Sequence, residues 1–246
     1  MPRRPLQRKK ALGACTVQRS LHFVGVGIAL LLALTVLPVL ALRWLDPPYS
    51  SFMLQYLTRN RLSDSPNHPF RYQWAPWEDI APEVKLAVIA SEDQRFLTHK
   101  GFDFDSMYRA WRDHRGGKSL RGASTITQQT AKNLFLWPSR SVSRKALEAY
   151  FTVLIETFWS KRRILEVYLN IAEFGQGVYG IKSACRAFLH KRPSDLTLRE
   201  AALIAAVLPS PVRYSVRKPS AYLVRRVDWI IMQMRRLGGG QHLRGL

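Results

Sequence analysis

The chain has 246 residues, with 38 Lys and Arg against 17 Asp and Glu, which gives a net charge of +21. This length is sufficient for one domain of ordinary size with an appendage. Such a cationic excess favours partners that carry negative charge, such as nucleic acids or anionic membrane surfaces. Because the Lys and Arg residues are scattered and no nucleic-acid-binding module is recognisable, we expect no nucleic-acid partner.

The first predicted element is an apolar segment near the N-terminus. No residue from 23 to 42 is charged, and Leu, Ala, Val and Ile dominate. A helix needs about 20 such residues to cross a bilayer, whereas the apolar part of a cleaved signal peptide has about 7–15. No small-x-small cleavage site follows the segment. We therefore predict an uncleaved transmembrane helix over residues 21–42, preceded by a basic tail over residues 1–20.

The charges on either side of this segment predict its orientation. After it, Arg43 is soon followed by Asp46, whereas the residues before it include no acidic side chain. The positive-inside rule then places the N-terminus in the cytoplasm and the rest of the chain outside the membrane. Without the six N-terminal cations the net charge is +15, which suits the anionic headgroups of phospholipids. The six cations are Arg3, Arg4, Arg8, Lys9, Lys10 and Arg19.

The region outside the membrane divides into a linker and a helical domain. Residues 43–76 contain several turn-forming Pro residues, and we predict an irregular linker there. Residues 77–240 form the predicted domain, which is mainly α, with strands confined at most to a short hairpin. Thr197 and Glu200 have the spacing of a capping box, and Gly238 follows the last helix. Helices are predicted from Pro82 to about 92 and over 105–114, 124–135, 143–159, 161–172, 178–190, 198–208 and 219–237.

Two polar segments carry the strongest functional signal. The first, Ser91–Gly101, follows an apolar helix and begins with the adjacent carboxylates of Glu92 and Asp93. The second, Gly122–Gln129, combines small, hydroxyl and amide side chains without any charge. Because each buried amide or hydroxyl must find a hydrogen-bond partner, such a surface suits a polyhydroxylated, amide-rich ligand such as an amino sugar.

Both segments, in this order, resemble motifs of the peptidoglycan glycosyltransferases of the lysozyme-like superfamily, which polymerise lipid II. Three later segments, Arg144–Glu148, Lys161–Gly175 and Arg199–Pro211, match further motifs in the same order. The resemblance covers about residues 80–215 and implies a lysozyme-like, two-lobed helical domain preceded by one transmembrane helix. The end of the chain at residue 246 leaves no room for a transpeptidase domain, so we expect the monofunctional biosynthetic form.

The resemblance also implies roles for individual residues. Glu92 would be the general base, and Glu148 would be the second catalytic carboxylate of the same cleft. Sugar and amide groups would be bound by Ser124, Thr127, Gln128 and Gln129. The diphosphate would be stabilised by Lys132, Arg140, Arg144 and Lys145 or by a divalent cation, Mg²⁺ or Mn²⁺, and no organic cofactor is implied.

Simpler interpretations of the same residues stay open. Arg144 and Glu148 have the i,i+4 spacing of a surface ion pair, and Ser124 has the position of a helix cap. We expect Asp93, Phe96 and His99 to pack and position rather than react. Glu166 and Asn170 share a helix face, and we expect them to brace the cleft wall.

The resemblance implies that the growing glycan chain is the donor and lipid II the acceptor, with inversion to a β-1,4 link. It implies an enzyme of the inner membrane with a periplasmic catalytic domain. Its partners would be lipid II, the glycan chain, the phospholipid bilayer and other proteins of cell-wall synthesis. Two rival functions are a lysozyme or lytic transglycosylase that cleaves glycan, and an inert membrane-anchored scaffold.

Overall fold

The computed structural model describes residues 6–62, 69–115, 124–139 and 141–246, with side chains from residue 22 onward except at 24, 113 and 114. The chain divides into two compact units, Met1–Leu45 and Asp46–Leu246. The first unit contains helix α1, Leu6–Ala41, which begins well before the predicted start at residue 21. Where side chains are described, no helix is both long and apolar enough to span a bilayer.

The second unit begins with a helix in the stretch that we predicted to be an irregular linker. Helix α2 spans Ser51–Arg61, and that prediction is wrong for these residues. The Ser50 side chain caps the helix by accepting a hydrogen bond from the Met53 backbone N–H at 3.2 Å. Met53 is fully buried and anchors the helix. The turn-forming residues that suggested a linker lie before the helix or at 63–69, and of the latter only residue 69 is described.

The strands form one small sheet of three in the order β1-β3-β2. Strands β2, Glu173–Gly175, and β3, Val178–Tyr179, form an antiparallel hairpin with an irregular register, which the prediction allowed as an upper limit without locating it. Strand β1, Arg71–Tyr72, pairs parallel to β3 with Arg71 opposite Val178. The sequence did not predict β1, which lies in the expected linker.

Eight further helices correspond to the eight predicted ones, with ends that differ by a few residues. The largest difference is at α8, because Val178–Tyr179 form β3 and Gly180, with φ 80°, lies between that strand and the helix. The predicted capping box of Thr197 and Glu200 is present, and Gly238 follows the last α-helix with φ 88°. The helices are α3 Pro82–Glu92, α4 Phe104–Arg115, α5 Ile126–Phe135, α6 Val142–Phe158, α7 Lys161–Ile171, α8 Ile181–Phe188, α9 Leu198–Ala206 and α10 Ala221–Arg236.

Two groups of helices meet at the end of α3. Helix α3 packs against α9 and α10, whereas α5 packs against α2, α6 and α7. Every residue of α3 from Val84 to Ala90 is buried, so this helix forms the centre of its group. Its last residue, Glu92, faces Gln129 of α5 across the junction. The packing therefore presents a carboxylate between the two groups of helices.

Candidate active site

Helix α3 ends at Glu92 because the chain turns sharply at Asp93, which has φ −162° and ψ 77°. The Asp93 carboxylate points inward and accepts hydrogen bonds from His99 Nε2 at 2.9 Å and from the Ile126 backbone N–H at 3.0 Å. His99 Nδ1 accepts a hydrogen bond from the Gly101 backbone N–H at 3.1 Å. These bonds tie the end of α3 to the start of α5, so Asp93 and His99 have the positioning contacts that we predicted.

Glu92 is held by side chains from three helices. Its Oε1 accepts a hydrogen bond from Ser91 Oγ at 3.1 Å, and its Oε2 accepts one from Gln129 Nε2 at 3.0 Å. Arg226 of α10 donates to Ser91 Oγ at 3.0 Å and lies 3.7 Å from Glu92 Oε1. The Glu92 side chain is only 11% exposed. The carboxylate is therefore oriented by its neighbours and largely shielded from water.

The pKa of Glu92 is raised above its ordinary value, mainly because burial penalises the charged form. The Gln129 hydrogen bond, the Arg226 charge and the Ser91 hydrogen bond oppose this rise, and the Asp93 charge adds to it. A carboxylate with a raised pKa is a stronger base once it is ionised, which suits proton abstraction near neutral pH.

The amide of Gln129 is fixed in one orientation by Tyr168. The Tyr168 hydroxyl donates to Gln129 Oε1 at 3.2 Å, which leaves the amide Nε2 to donate to Glu92. Burial raises the pKa of Tyr168 well above its ordinary value, so this residue stays a neutral donor. The hydrogen bonds therefore run in one direction, from Tyr168 of α7 through Gln129 of α5 to Glu92 of α3.

The two consecutive glutamines have different surroundings. The helix cap is Thr125 rather than Ser124: its Oγ1 accepts from the Gln128 backbone N–H at 3.2 Å, and its own N–H donates to Gln128 Oε1 at 3.0 Å. Gln128 is 2% exposed, and Thr127 is fully buried and donates to Glu156. Thr127 and Gln128 do not line the cleft, which corrects the expectation that their side chains contact sugars.

Glu148 lies in a second, cationic cluster. Its side chain is 4% exposed, accepts a 2.6 Å hydrogen bond from Arg144, and also pairs with Lys145. The Arg144–Glu148 pair is thus buried rather than a surface ion pair. Burial lowers the pKa of Lys132, and the charges of Glu148 and Glu92 both act on its ammonium group. Lys132, Arg144 and Lys145 therefore cluster around Glu148, whereas Arg140 lies outside the described residues.

Glu92 lines a polar cleft of about 850 Å³ between the two groups of helices. Ser124 and Gln129 also line this cleft, as do Arg213 and Tyr214, which follow the last matched segment. Lys132, Arg144 and Lys145 of the Glu148 cluster are not among the residues that line this cleft. Aromatic rings with polar edges, together with arginines, suit a sugar ligand that also carries negative charge. Further lining residues that the sequence did not indicate are Arg95, Arg109, Tyr222, Arg226 and Trp229.

The predicted bracing role of Glu166 and Asn170 agrees with their contacts. Asn170 is fully buried, accepts from the Ala75 backbone N–H at 2.7 Å and donates to the Ala75 carbonyl at 2.9 Å. Glu166 accepts from the Trp77 backbone N–H at 3.0 Å. Both side chains thus fix the segment that precedes α3 and support the helix that carries Glu92.

Comparison with known proteins gives one family. The family model described as transglycosylase matches residues 59–235. The chain is 48% identical over 240 residues to the biosynthetic peptidoglycan transglycosylase of Xanthomonas campestris pv. campestris (strain B100), and the match covers 97% of each chain. Proteins of the same name from Pseudomonas entomophila (strain L48) and Xylella fastidiosa (strain 9a5c) are 50% and 49% identical, covering 83% and 88% of this chain and 86% and 89% of their own. The chain therefore belongs to the transglycosylase family and is a glycosyltransferase.

Proposed function

We propose that the chain polymerises lipid II into the β-1,4-linked glycan strands of peptidoglycan, with Glu92 as the general base. The observation that carries this proposal is the shielded Glu92 carboxylate, which has a raised pKa and is held by Gln129 and Arg226 in a large polar cleft. The names of the relatives, biosynthetic peptidoglycan transglycosylases, support the same substrate.

In the proposed reaction, Glu92 takes the proton from the 4-hydroxyl group of the acceptor GlcNAc. The hydroxyl oxygen attacks the anomeric carbon of the donor MurNAc as the bond from that carbon to the diphosphate oxygen breaks. The polyprenyl diphosphate leaves with the bonding electrons, and attack from the opposite face inverts the configuration to β. Gln129 and Arg226 orient the base, and Ser124 and Gln129 hydrogen-bond the sugars across the cleft.

The diphosphate needs positive charge as it leaves. Lys132, Arg144 and Lys145 supply that charge in this proposal, and Arg140 joins them. Glu148 accepts from Arg144 and Lys145 and so holds both cations in place. We therefore expect Glu148→Gln to impair polymerisation strongly but incompletely, because its contribution is electrostatic.

A resident divalent cation does not fit this arrangement. Both carboxylate oxygens of Glu148 already pair with cationic side chains. The proposed reaction therefore uses the Lys and Arg side chains and includes no step through Mg²⁺ or Mn²⁺.

The proposal places the enzyme at the inner membrane, where lipid-linked substrates are found. The uncharged residues 23–42 would cross the bilayer once, with the basic tail in the cytoplasm and a lysozyme-like, two-lobed domain over about residues 77–240 in the periplasm. Deletion of residues 1–42 should lower activity on membrane-embedded lipid II. The remaining cationic domain should still adsorb to anionic vesicles, and this adsorption should weaken as salt rises.

Incubation of the purified protein with lipid II tests the proposed function. Polymerised glycan together with free polyprenyl diphosphate is the expected result. A related fold that uses a catalytic Glu for hydrolysis would instead release fragments from purified sacculi, and an inert scaffold would change neither substrate. Cleaved sacculi without polymer would contradict the proposal.

A further inference from the structure

Two smaller cavities lie between the active-site cleft and the sheet. The first, of about 330 Å³, shares Tyr214 with the cleft. The second, of about 360 Å³, shares Arg71 and Ala187 with the first. We call these two cavities the sheet groove. Its lining runs from Tyr214 to strand β1 and helix α8, so the groove adjoins the cleft at Tyr214.

The sheet groove is cationic. Arg71, Arg186 and Arg217 line it, whereas Asp and Glu are absent from the residues described along its walls. Neither Arg71 nor Arg186 forms an ion pair with a carboxylate in the described part of the chain. Several other arginines of the domain do pair with carboxylates, including Arg163 with Glu166 and Arg199 with Asp228. Among the described residues, no carboxylate therefore competes with an anion for Arg71 and Arg186, whereas Arg217 donates to the Ala187 carbonyl.

A buried hydroxyl gives a second and independent indication of a ligand. Ser183 is only 5% exposed, and its Oγ has no hydrogen-bond partner. Ser183, Arg186 and Ala187 lie on one face of α8 at the i, i+3 and i+4 positions and line the same cavity. A buried hydroxyl without a partner is unfavourable. Because Ser183 lines the same cavity as Arg71 and Arg186, its hydroxyl can donate to a carboxylate bound there.

The walls of the groove suit an extended peptide. Strand β1 pairs with β3 on one side, and no described strand pairs with its other side, so its free edge can hydrogen-bond an added segment. Between Tyr214 and Arg71 the lining is largely apolar, with Phe174, Phe188 and Val216. Such a lining suits small alkyl side chains between anionic groups.

We propose that the sheet groove binds the peptide stem of the glycan substrate, with the terminal carboxylate of the stem between Arg71, Arg186 and Ser183. This inference rests on the proposed function, since lipid II carries a short peptide with free carboxylates on the sugar that enters the cleft. The cationic lining complements those carboxylates, and Tyr214 lines both the groove and the cleft, so the two sites are adjacent. The groove thus makes the enzyme selective for glycan that still bears its stem.

Binding of a fluorescent stem peptide to the full-length protein tests this site without any turnover. The test variant is Arg71→Ala combined with Arg186→Ala, and Ser183→Ala is a second, uncharged variant. The control is Arg225→Ala with Arg236→Ala, which removes the same charge from exposed positions of α10. We expect the test variant to bind the peptide about tenfold more weakly than the parent, and the control to bind it as the parent does. A peptide whose terminal carboxylate is amidated should bind weakly to the parent and to the test variant alike.

Polymerisation provides the second readout. For the test variant, the ratio of kcat/KM on lipid II to that on a lipid-linked disaccharide without peptide should fall about tenfold relative to the parent. An unchanged ratio, equal weakening in the control, equal binding of the amidated peptide, or equal binding of an unrelated acidic peptide would overturn the assignment. A parent protein that binds the stem peptide but polymerises neither substrate would contradict the proposed function instead.

Discussion

Gln129 donates a 3.0 Å hydrogen bond from its amide to the Glu92 carboxylate, and this bond joins the two groups of helices at the cleft. It favours the ionised form of Glu92 and so lowers a pKa that burial raises. Arg226, 3.7 Å from the same carboxylate, acts in the same direction. The basicity of Glu92 is therefore a balance between burial and two neighbours that come from different helices.

Replacing Gln129 should change this balance in a known direction. Without the hydrogen bond the pKa of Glu92 rises further, so a smaller fraction is ionised at a given pH. For Gln129→Ala the acid limb of kcat/KM should therefore move to higher pH, with a loss of about tenfold or more near pH 7 that is partly recovered under alkaline conditions. A pH series of polymerisation rates measures this. Gln241→Ala, an exposed glutamine in the last 3₁₀ helix, is the control. An acid limb that stays in place would contradict the assignment.

Substitutions of Arg226 should separate charge from hydrogen bonding. Arg226→Ala removes a positive charge that lowers the pKa of Glu92. The acid limb of kcat/KM for this variant should therefore also move to higher pH. Arg226→Lys keeps the charge but not the planar donor group that reaches Ser91, so it should retain most of the parental pH profile with a lower maximal rate. If both variants shift the profile equally, the effect does not arise from the charge.

Gln128→Ala should affect stability rather than chemistry, because Gln128 completes the capping box of α5 with Thr125. Loss of a helix cap costs about 1 kcal/mol, which corresponds to about 2–4 °C in Tm for a domain of this size. Thermal unfolding and the pH profile of the same preparation provide the two readouts. Gln128→Ala should lower Tm and leave the acid limb in place, in contrast to Gln129→Ala. A shifted acid limb at unchanged Tm would place Gln128 in the site.

The different surroundings of these two glutamines illustrate what the sequence does and does not determine. The motif identifies both glutamines, but the directions in which their side chains point depend on the residue at which α5 begins. A cap at Ser124 and a cap at Thr125 are equally compatible with the local sequence. In the structure, Thr125 makes the local capping contact with Gln128 and also donates to the Gly101 carbonyl. The second contact joins residues that are distant in the chain, and no local pattern predicts it.

The elements of the fold likewise divide into those with local sequence signals and those that depend on distant contacts. Helices α3 to α10 could be predicted because periodicity, caps and glycines are local signals. Strand β1 is two residues long and pairs in parallel with β3, more than a hundred residues later, so no local signal marks it. Arg226 likewise resembles any cation of a basic helix until α10 packs against α3 and brings it to Ser91.

The cationic cluster should contribute to the leaving of the diphosphate. Lys132→Ala should lower kcat on lipid II by more than it weakens substrate binding, since interactions with growing charge strengthen in the transition state. Arg144→Ala should do the same, and Arg144→Lys should restore only part of the rate because Lys cannot make a bidentate contact. Since Arg144→Ala also removes a partner of buried Glu148, Lys132→Ala is the cleaner test. Steady-state kinetics together with lipid II binding separate the two effects. Parental rates in both alanine variants would contradict this assignment.

The central claim is that Glu92 removes the proton from the acceptor hydroxyl group. Because its pKa is raised in the folded state, ionised Glu92 destabilises the fold above the ordinary pKa of a carboxyl group, and this penalty is absent at lower pH. Glu92→Gln should therefore melt at the parental temperature or above it at neutral pH, which separates lost chemistry from misfolding.

The most direct measurement is polymerisation of lipid II by Glu92→Gln over a range of pH, with binding of lipid II measured in parallel. We expect a rate at least about a hundredfold below that of the parent at every pH, with lipid II binding retained. Substantial turnover by the folded Glu92→Gln protein at any pH would contradict it.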